Sequence, residues 1–449
     1  MKRTLWTWGP ALIFFVVVLV FSLTFYYRAP YHDHWDIVPY YAALKQGELG
    51  LSDLFVPHGG HWHATGYIAQ LGLAELTGMA HWAESFASVL FAGLGFVALV
   101  RILSKSFTAL NVPQAAPWVI GIAAFFFFSL DQSANWLWGW QVAVFIMIAG
   151  AMWTIERLSC GVPTVLNTLI AAFASAVSIY AFATGWVLIP IGFALLIIYG
   201  APSSQTGRLC LAIWTTFTLL MLWHLYLARA GLPVSPSTLP EITSGETWLG
   251  LTHYTINFVT SPIIRFARDS SLVAAAIGLG LFIWSIRTIM REVKAPIQKT
   301  IAPLIALAAL AWGAGFLSAL GRWEQFGVQQ AFVSRYISFG SFFWVSVFAL
   351  AIFAIAKTNH RTHMWTYSVL GLLLLLKVGN IPSVVTKSVE LSHTIAQTSG
   401  QIAAIYPTVE PDDYAVLHNG TQDVETYLET LAQYQVSFFY GDTVGLERD

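Results

Sequence analysis

The feature that most constrains this chain is the recurrence of apolar runs about as long as a bilayer is thick. A helix rises 1.5 Å per residue, so a hydrocarbon core of about 30 Å takes roughly 20 apolar residues to cross. Runs of this kind occur at about 6–27, 82–100, 117–130, 138–155, 162–180, 184–200, 209–228, 271–290, 301–320, 338–356 and 363–379. Lipid offers no partner to backbone N–H and C=O groups, so each run is expected to be a helix. The expected fold class is therefore an all-α polytopic membrane protein with about 11 transmembrane helices. Only 10% of residues are charged, where a soluble domain carries about 25%. Many of the 19 Trp lie near the ends of apolar runs, as an aromatic belt at the interface requires.

Basic residues set the expected orientation. Lys2, Arg3, Arg101, Lys105, Arg157, Arg208, Arg287, Arg291, Lys294, Lys299, Lys357 and Arg361 all fall on one side if the spans alternate, and that side is the cytoplasm. The N-terminus is then cytoplasmic and the C-terminus outside. The first run ends in Phe25-Tyr26-Tyr27-Arg28 without a small-residue cleavage site, so it is expected to stay as a helix. The chain divides into a transmembrane domain, 1–379, with an outer loop 28–81, and an extracytoplasmic tail, 380–449. Within the outer loop, about Val38–Glu48 and about Ala64–Leu76 are too short and too polar to span. They are expected to lie flat at the interface as amphipathic helices. The tail has a helical pattern at Val424, Tyr427, Leu428, Leu431 and Tyr434. Cys160 and Cys210 fall beside cytoplasmic segments and read as unpaired thiols. A net charge of −1 with no long basic block argues against a nucleic-acid partner.

Polar residues with chemical potential gather on the outer face. The densest group is Tyr31-His32-Asp33-His34-Trp35-Asp36, followed in the same loop by His58, His61 and His63. A carboxylate at the membrane surface can act as general base toward a hydroxyl or can ligate a divalent metal. The alternative is a solvated loop without chemistry. His58, His61 and His63 have ligand-like spacing, but no cysteine joins them and Gly59-Gly60 loosens the backbone. That pattern names no cofactor and leaves room for a loosely held divalent cation, magnesium or manganese, more than for a structural zinc. Between the third and fourth runs, Asn135 and Gln141 bracket Trp136, Trp138, Gly139 and Trp140. Indole faces beside amides suit a sugar ring, and also suit plain interfacial anchoring. Arg322, and Arg335 with Tyr336, lie before the tenth run; a guanidinium fork can clamp a phosphate or rest among lipid headgroups.

These motifs together resemble the GT-C superfamily of polytopic glycosyltransferases, which take sugars from polyprenyl-phosphate carriers at the outer membrane face. The similarity is to a bacterial subgroup with an Asp-Trp motif, a Leu-Trp/Phe-x-x-His-x-x-His-Arg segment, a Trp-Gly-Phe/Trp-Gln motif and a later Arg-Tyr pair. The counterparts are Trp35-Asp36 with Asp33, the segment from Leu54 through His58 and His61 to Trp62, Trp138-Gly139-Trp140-Gln141, and Arg335-Tyr336. Gly59-Gly60 and Trp62 depart from the subgroup's Asn-Glu and Arg. The resemblance implies an inverting transfer to a glycan or lipid-linked acceptor in a bacterial inner membrane. Asp33 would be the base or a metal ligand, assisted by Asp36 and His34. His58, His61 and His63 would approach the carrier phosphate. Arg335, with Arg322 and Tyr336, would clamp it, and Asn135, Trp138 and Gln141 would shape the sugar pocket.

Two other activities fit the same topology: a transporter or flippase of lipid-linked sugars, and a glycan polymerase or ligase. A transporter asks for ionisable residues lining a path at mid-span. The orientation itself is testable. A cysteine introduced at Ser52 should react with a membrane-impermeant thiol reagent in intact cells, and labelling seen only after lysis would reverse the assignment.

Overall fold

In the computed structural model, the described residues are 2–58, 62–230, 244–292, 297–357, 363–418, 420 and 423–440, and among them there is no strand. The helices run in the order α1 (Lys2–Phe25), α2 (Ile37–Gln46), α3 (Ala64–Thr77), α4 (His81–Ala109), α5 (Ala116–Phe127), α6 (Ser133–Leu137), α7 (Val142–Leu158) and α8 (Val165–Ala181). They continue with α9 (Leu188–Ile198), α10 (Gln205–Ala230), α11 (Gly245–Ile264), α12 (Ser271–Glu292), α13 (Ile297–Phe326), α14 (Ile337–Lys357), α15 (His363–Ile405) and α16 (Val424–Gln433).

Nine helical segments among the described residues are long and apolar enough to cross a membrane. They comprise α1, α4, α7, α10, α12, α13, α14, α15 and the stretch Pro113–Leu137, which contains α5 and α6. The remaining two apolar runs form the shorter helices Val165–Ala181 and Ala183–Ile198. This is the architecture of a polytopic helical membrane protein. Helices α7 and α14 are buried along nearly their whole length, while α1 and α10 are mostly exposed. Their exposed side chains are large and apolar, including Leu12, Ile13, Leu219, Leu220 and Trp223. Surface of this kind needs lipid around it.

The two ends of the bundle differ chemically. At the end away from the first loop, the buried Glu156 carboxylate receives Arg101 and Lys105, each at 2.9 Å. Nearby, Ser106 donates to the Thr300 carbonyl. Arg157, another of the basic residues that set the expected orientation, also lies against Glu156 at this end. At the other end, the first loop, the segment 128–141, the turn before α14 and the tail converge.

Helix α11, between the seventh and eighth apolar runs, packs at that second end. The Tyr254 hydroxyl donates to Gln330 and the Asn257 amide to the Val328 carbonyl, while Arg265 at its C-terminus donates to the Asp131 carbonyl. The loop helices α2 and α3 match the expected spans to within two residues. Gly47 and Gly78 end them in the left-handed conformation that a Cβ disfavours.

Helix α15 runs through the boundary expected at 379/380 without a break and is 43 residues long. At 1.5 Å per residue it reaches roughly 65 Å, about twice the hydrocarbon thickness. Half of it therefore stands clear of the apolar layer and carries the tail. Lys377, on α15, pairs with Asp131 at 2.8 Å, with both side chains fully buried. Its ammonium also lies 4.8 Å from the centre of the Phe126 ring. Such a pair contributes little net stability because both ions lose water, yet either alone would be far more costly. It therefore fixes α15 relative to the 128–141 segment.

Candidate functional site

The site grows from the first turn after α1. Residues His32–Asp36 form a short 3-10 helix, and its alternate residues face different partners. Trp35 turns inward, donating its indole N–H to the Leu417 carbonyl and stacking on Tyr427. The His32 backbone N–H also donates to the Leu417 carbonyl, so the tail holds the loop by backbone and side chain together. Asp33 and Asp36 remain partly exposed, on the side that faces α3.

His34 is buried. Its Nε2 lies 3.0 Å from Glu84 Oε1, and His81 Nδ1 lies 3.1 Å from Glu84 Oε2. His34 therefore serves as an anchor to α4, a different position from the assisting role expected for it. Above Glu84 sits Gly139. A Cβ at Gly139 would come within 2.0 Å of Glu84 Oε2 and 3.0 Å of Glu84 Cβ. Only glycine lets the 138–140 backbone settle on this carboxylate.

That glycine separates two indoles with different tasks. Trp138 packs against Tyr31, with ring centres 5.6 Å apart, and more distantly against His32. Trp140 is the hub on the other side. His63 stacks on it at 4.2 Å and 10°, His58 meets it edge-on at 5.1 Å, and Tyr67 does so at 5.8 Å. His58 Nδ1 is 3.6 Å from Asp36 Oδ2, so the histidine pair and the acidic turn share this floor. The Tyr40 and Tyr67 rings pack at 4.6 Å. Burial raises the Tyr67 phenol well above its ordinary pKa, followed by the charges of Tyr40, Asp36 and Asp33. Tyr67 is thus a neutral donor near both carboxylates.

The Arg335 guanidinium lies 5.6 Å from the centre of the Tyr336 ring. Burial lowers the His32 pKa below its ordinary value; Asp33 opposes this, and Arg335 and His418 add to it. Burial raises the Tyr31 phenol, and Arg335 opposes that shift. Arg335 and Asp33 therefore both lie close enough to act on His32. Arg322 and Arg335 both act on Tyr254, whose pKa is raised by burial and by Tyr336.

The other expected residues divide by position. The Asn135 amide donates to the Arg335 carbonyl at 3.0 Å and to Ser338 at 2.7 Å; it is fully buried and positions the arginine. Gln141 and Tyr336 are buried, Tyr336 against Phe258. Arg322 lies over Phe326. His61, with Gly59 and Gly60, lies outside the described residues. Sequence reasoning missed His81, Glu84 and the hub role of Trp140. A carboxylate and an imidazole three residues apart at the start of a membrane helix were the available signal, because ionisable groups there are rare without a task.

No family model, no curated protein and no solved structure matches this chain.

Gly139→Ala should displace Glu84, which is held at both oxygens, and destabilise the protein by roughly 1–3 kcal/mol through overpacking. Thermal unfolding in detergent checks this. The control is Gly321→Ala, at a position where an added Cβ meets nothing within 4 Å. Equal melting of both variants would mean that the 138–140 backbone does not rest on Glu84.

Proposed function

We propose that this protein is a glycosyltransferase of GT-C type. It would move a sugar from a polyprenyl-phosphate carrier to a glycan or lipid-linked acceptor. One observation carries the reading: Asp36 meets His58 over the Trp140 indole, while Asp33 and Arg335 both act on His32, which packs near Trp138. Sugar transfer from a phosphate carrier needs these three elements together. The base takes the acceptor proton, the indoles receive the apolar face of the ring, and the guanidinium stabilises the departing phosphate.

In this reading Asp33 accepts the proton of the acceptor hydroxyl, whose oxygen forms the new bond to the anomeric carbon. The bond from that carbon to the carrier phosphate breaks, and its electron pair leaves with the phosphate toward Arg335. A single displacement of this kind inverts the anomeric configuration. Asp36 is held by His58 and supports the turn, and Tyr67 donates within the acidic side. The protein would cross a bacterial inner membrane about 11 times, with the site and the C-terminal tail on the outer face, as the basic residues at the opposite end suggest.

A transport reading lacks comparable support. The buried Asp, Glu, Lys and Arg side chains among the described residues are Glu84, Asp131, Glu156 and Lys377. Each is paired, at one end of the bundle or the other, and together they do not line a path.

Asp33→Asn keeps shape and removes basicity. It should slow sugar transfer by about 100-fold or more while the protein still inserts and folds. Arg335→Lys keeps the charge but loses the planar fork, and should weaken donor use at unchanged protein abundance. Transfer at the wild-type rate in the Asp33→Asn variant would remove the base from the reading, and unaltered kinetics in Arg335→Lys would reduce the arginine to a lipid anchor.

A further inference from the structure

The cluster that fastens the first loop to α4 is made of groups that bind divalent metals. His34, His81 and Glu84 each offer one ligand atom, and these atoms all lie within 4.8 Å of one another. Tetrahedral zinc with bonds of about 2.0–2.1 Å separates neighbouring ligand atoms by roughly 3.3 Å. The shortest nitrogen–oxygen separations here are 3.0 and 3.1 Å. These two contacts run to opposite oxygens of Glu84, so a central ion would draw the imidazoles together from a spread of up to 4.8 Å as it replaced the direct hydrogen bonds.

Charge makes the same point. The Glu84 carboxylate is buried, and its ionic partners are two imidazoles, with no lysine or arginine among them. An ionised carboxylate in such a place needs a compensating positive charge. That charge is either a proton on one imidazole or a cation among the three groups.

Two features favour the cation. The outward nitrogen of His81, Nε2, meets Ser437 Oγ at 2.8 Å, which leaves Nδ1 directed inward. A metal-bound histidine typically donates its other N–H in this way, fixing tautomer and ring orientation. The site is also closed. Gly139 presses on Glu84 from one side, and on the other Ser437 is fixed by its backbone N–H on the Gly78 carbonyl. A closed site with two nitrogens and a carboxylate suits zinc and the neighbouring transition metals, whereas magnesium prefers an open, oxygen-rich and partly hydrated one.

We infer that His34, His81 and Glu84 bind one zinc-class ion, with the second Glu84 oxygen or a water molecule completing the shell. Its role is structural. It joins the first loop to α4 beneath the 138–140 backbone, and the tail secures it through Ser437. This site differs in residues and metal class from the loosely held cation expected beside His58, His61 and His63.

The test uses the full chain in detergent, exposed to Zn2+ alone and then exchanged into metal-free buffer. Elemental analysis should find about one zinc per chain. Glu84→Gln should lose it, and His58→Gln, at a partly exposed histidine of the first loop, should keep it. Co2+ added to metal-free wild-type protein should give the visible absorption bands of a four-coordinate site. This readout requires no variant to fold. Chelation of the wild-type protein should lower its Tm.

A wild-type chain that retains no zinc and shows no such cobalt bands overturns the proposal and leaves the proton as the bridging charge. Zinc lost from His58→Gln but kept by Glu84→Gln would assign the metal to the His58 group instead. Bound zinc whose removal leaves Tm unchanged would overturn the structural role. These readouts are metal content and stability, so they stand apart from whether the protein transfers sugar.

Discussion

The buried carboxylate of Glu84 is the contact on which the rest of this end of the molecule depends. It draws His34 down from the first loop, holds His81 at the start of its own helix and underlies Gly139. Because Gly139 lies between Trp138 and Trp140, its contact with Glu84 decides where both indoles go. Trp138 closes against Tyr31 and His32, and Trp140 forms the floor beneath His58, His63 and Tyr67. A loop of polar residues at a membrane surface would lose much conformational entropy in holding one shape. Here the geometry is imposed by a few desolvated contacts, which are strong because water is excluded from them.

The tail is part of the same construction. Helix α15 is fixed by Lys377 on Asp131 and then continues far beyond the apolar layer, so the chain after it returns over the first loop. Leu417 accepts from His32 and Trp35, Tyr427 stacks on Trp35, Tyr434 meets Tyr41 edge-on, and Ser437 reaches His81. The acidic turn is consequently held from both sides, by α4 from below and by the tail from above. Asp33 and Asp36 stay at the partly open edge between them.

Much of the architecture was legible in the sequence because apolar length is a direct consequence of bilayer thickness. The two short loop helices were legible too, from their length and polarity. The tail boundary was not, because nothing between Leu374 and Val385 breaks the helical pattern strongly enough to mark where the apolar layer ends; Pro382 is accommodated within α15. At the site, the sequence identified Asp33, Asp36, His58 and Arg335 as chemically interesting, and the structure brings their surroundings together. It did not separate those residues from His34 and Asn135, which are equally polar but buried and used for positioning. Burial of single polar side chains depends on tertiary contacts among residues far apart in the chain. Glu84 and Gly139 illustrate this, as neither is informative until the other lies against it.

The account stands most directly on whether the intact wild-type protein moves sugar between molecules. The decisive measurement supplies purified protein, reconstituted in lipid, with a panel of labelled polyprenyl-phosphate sugars and envelope glycan or lipid-linked acceptors. The expected result is label leaving one carrier and appearing on an acceptor with inverted anomeric configuration, with free polyprenyl phosphate as the second product. Carrier-linked sugar that stays intact across the whole panel while crossing between leaflets would contradict the account and make this protein a transporter.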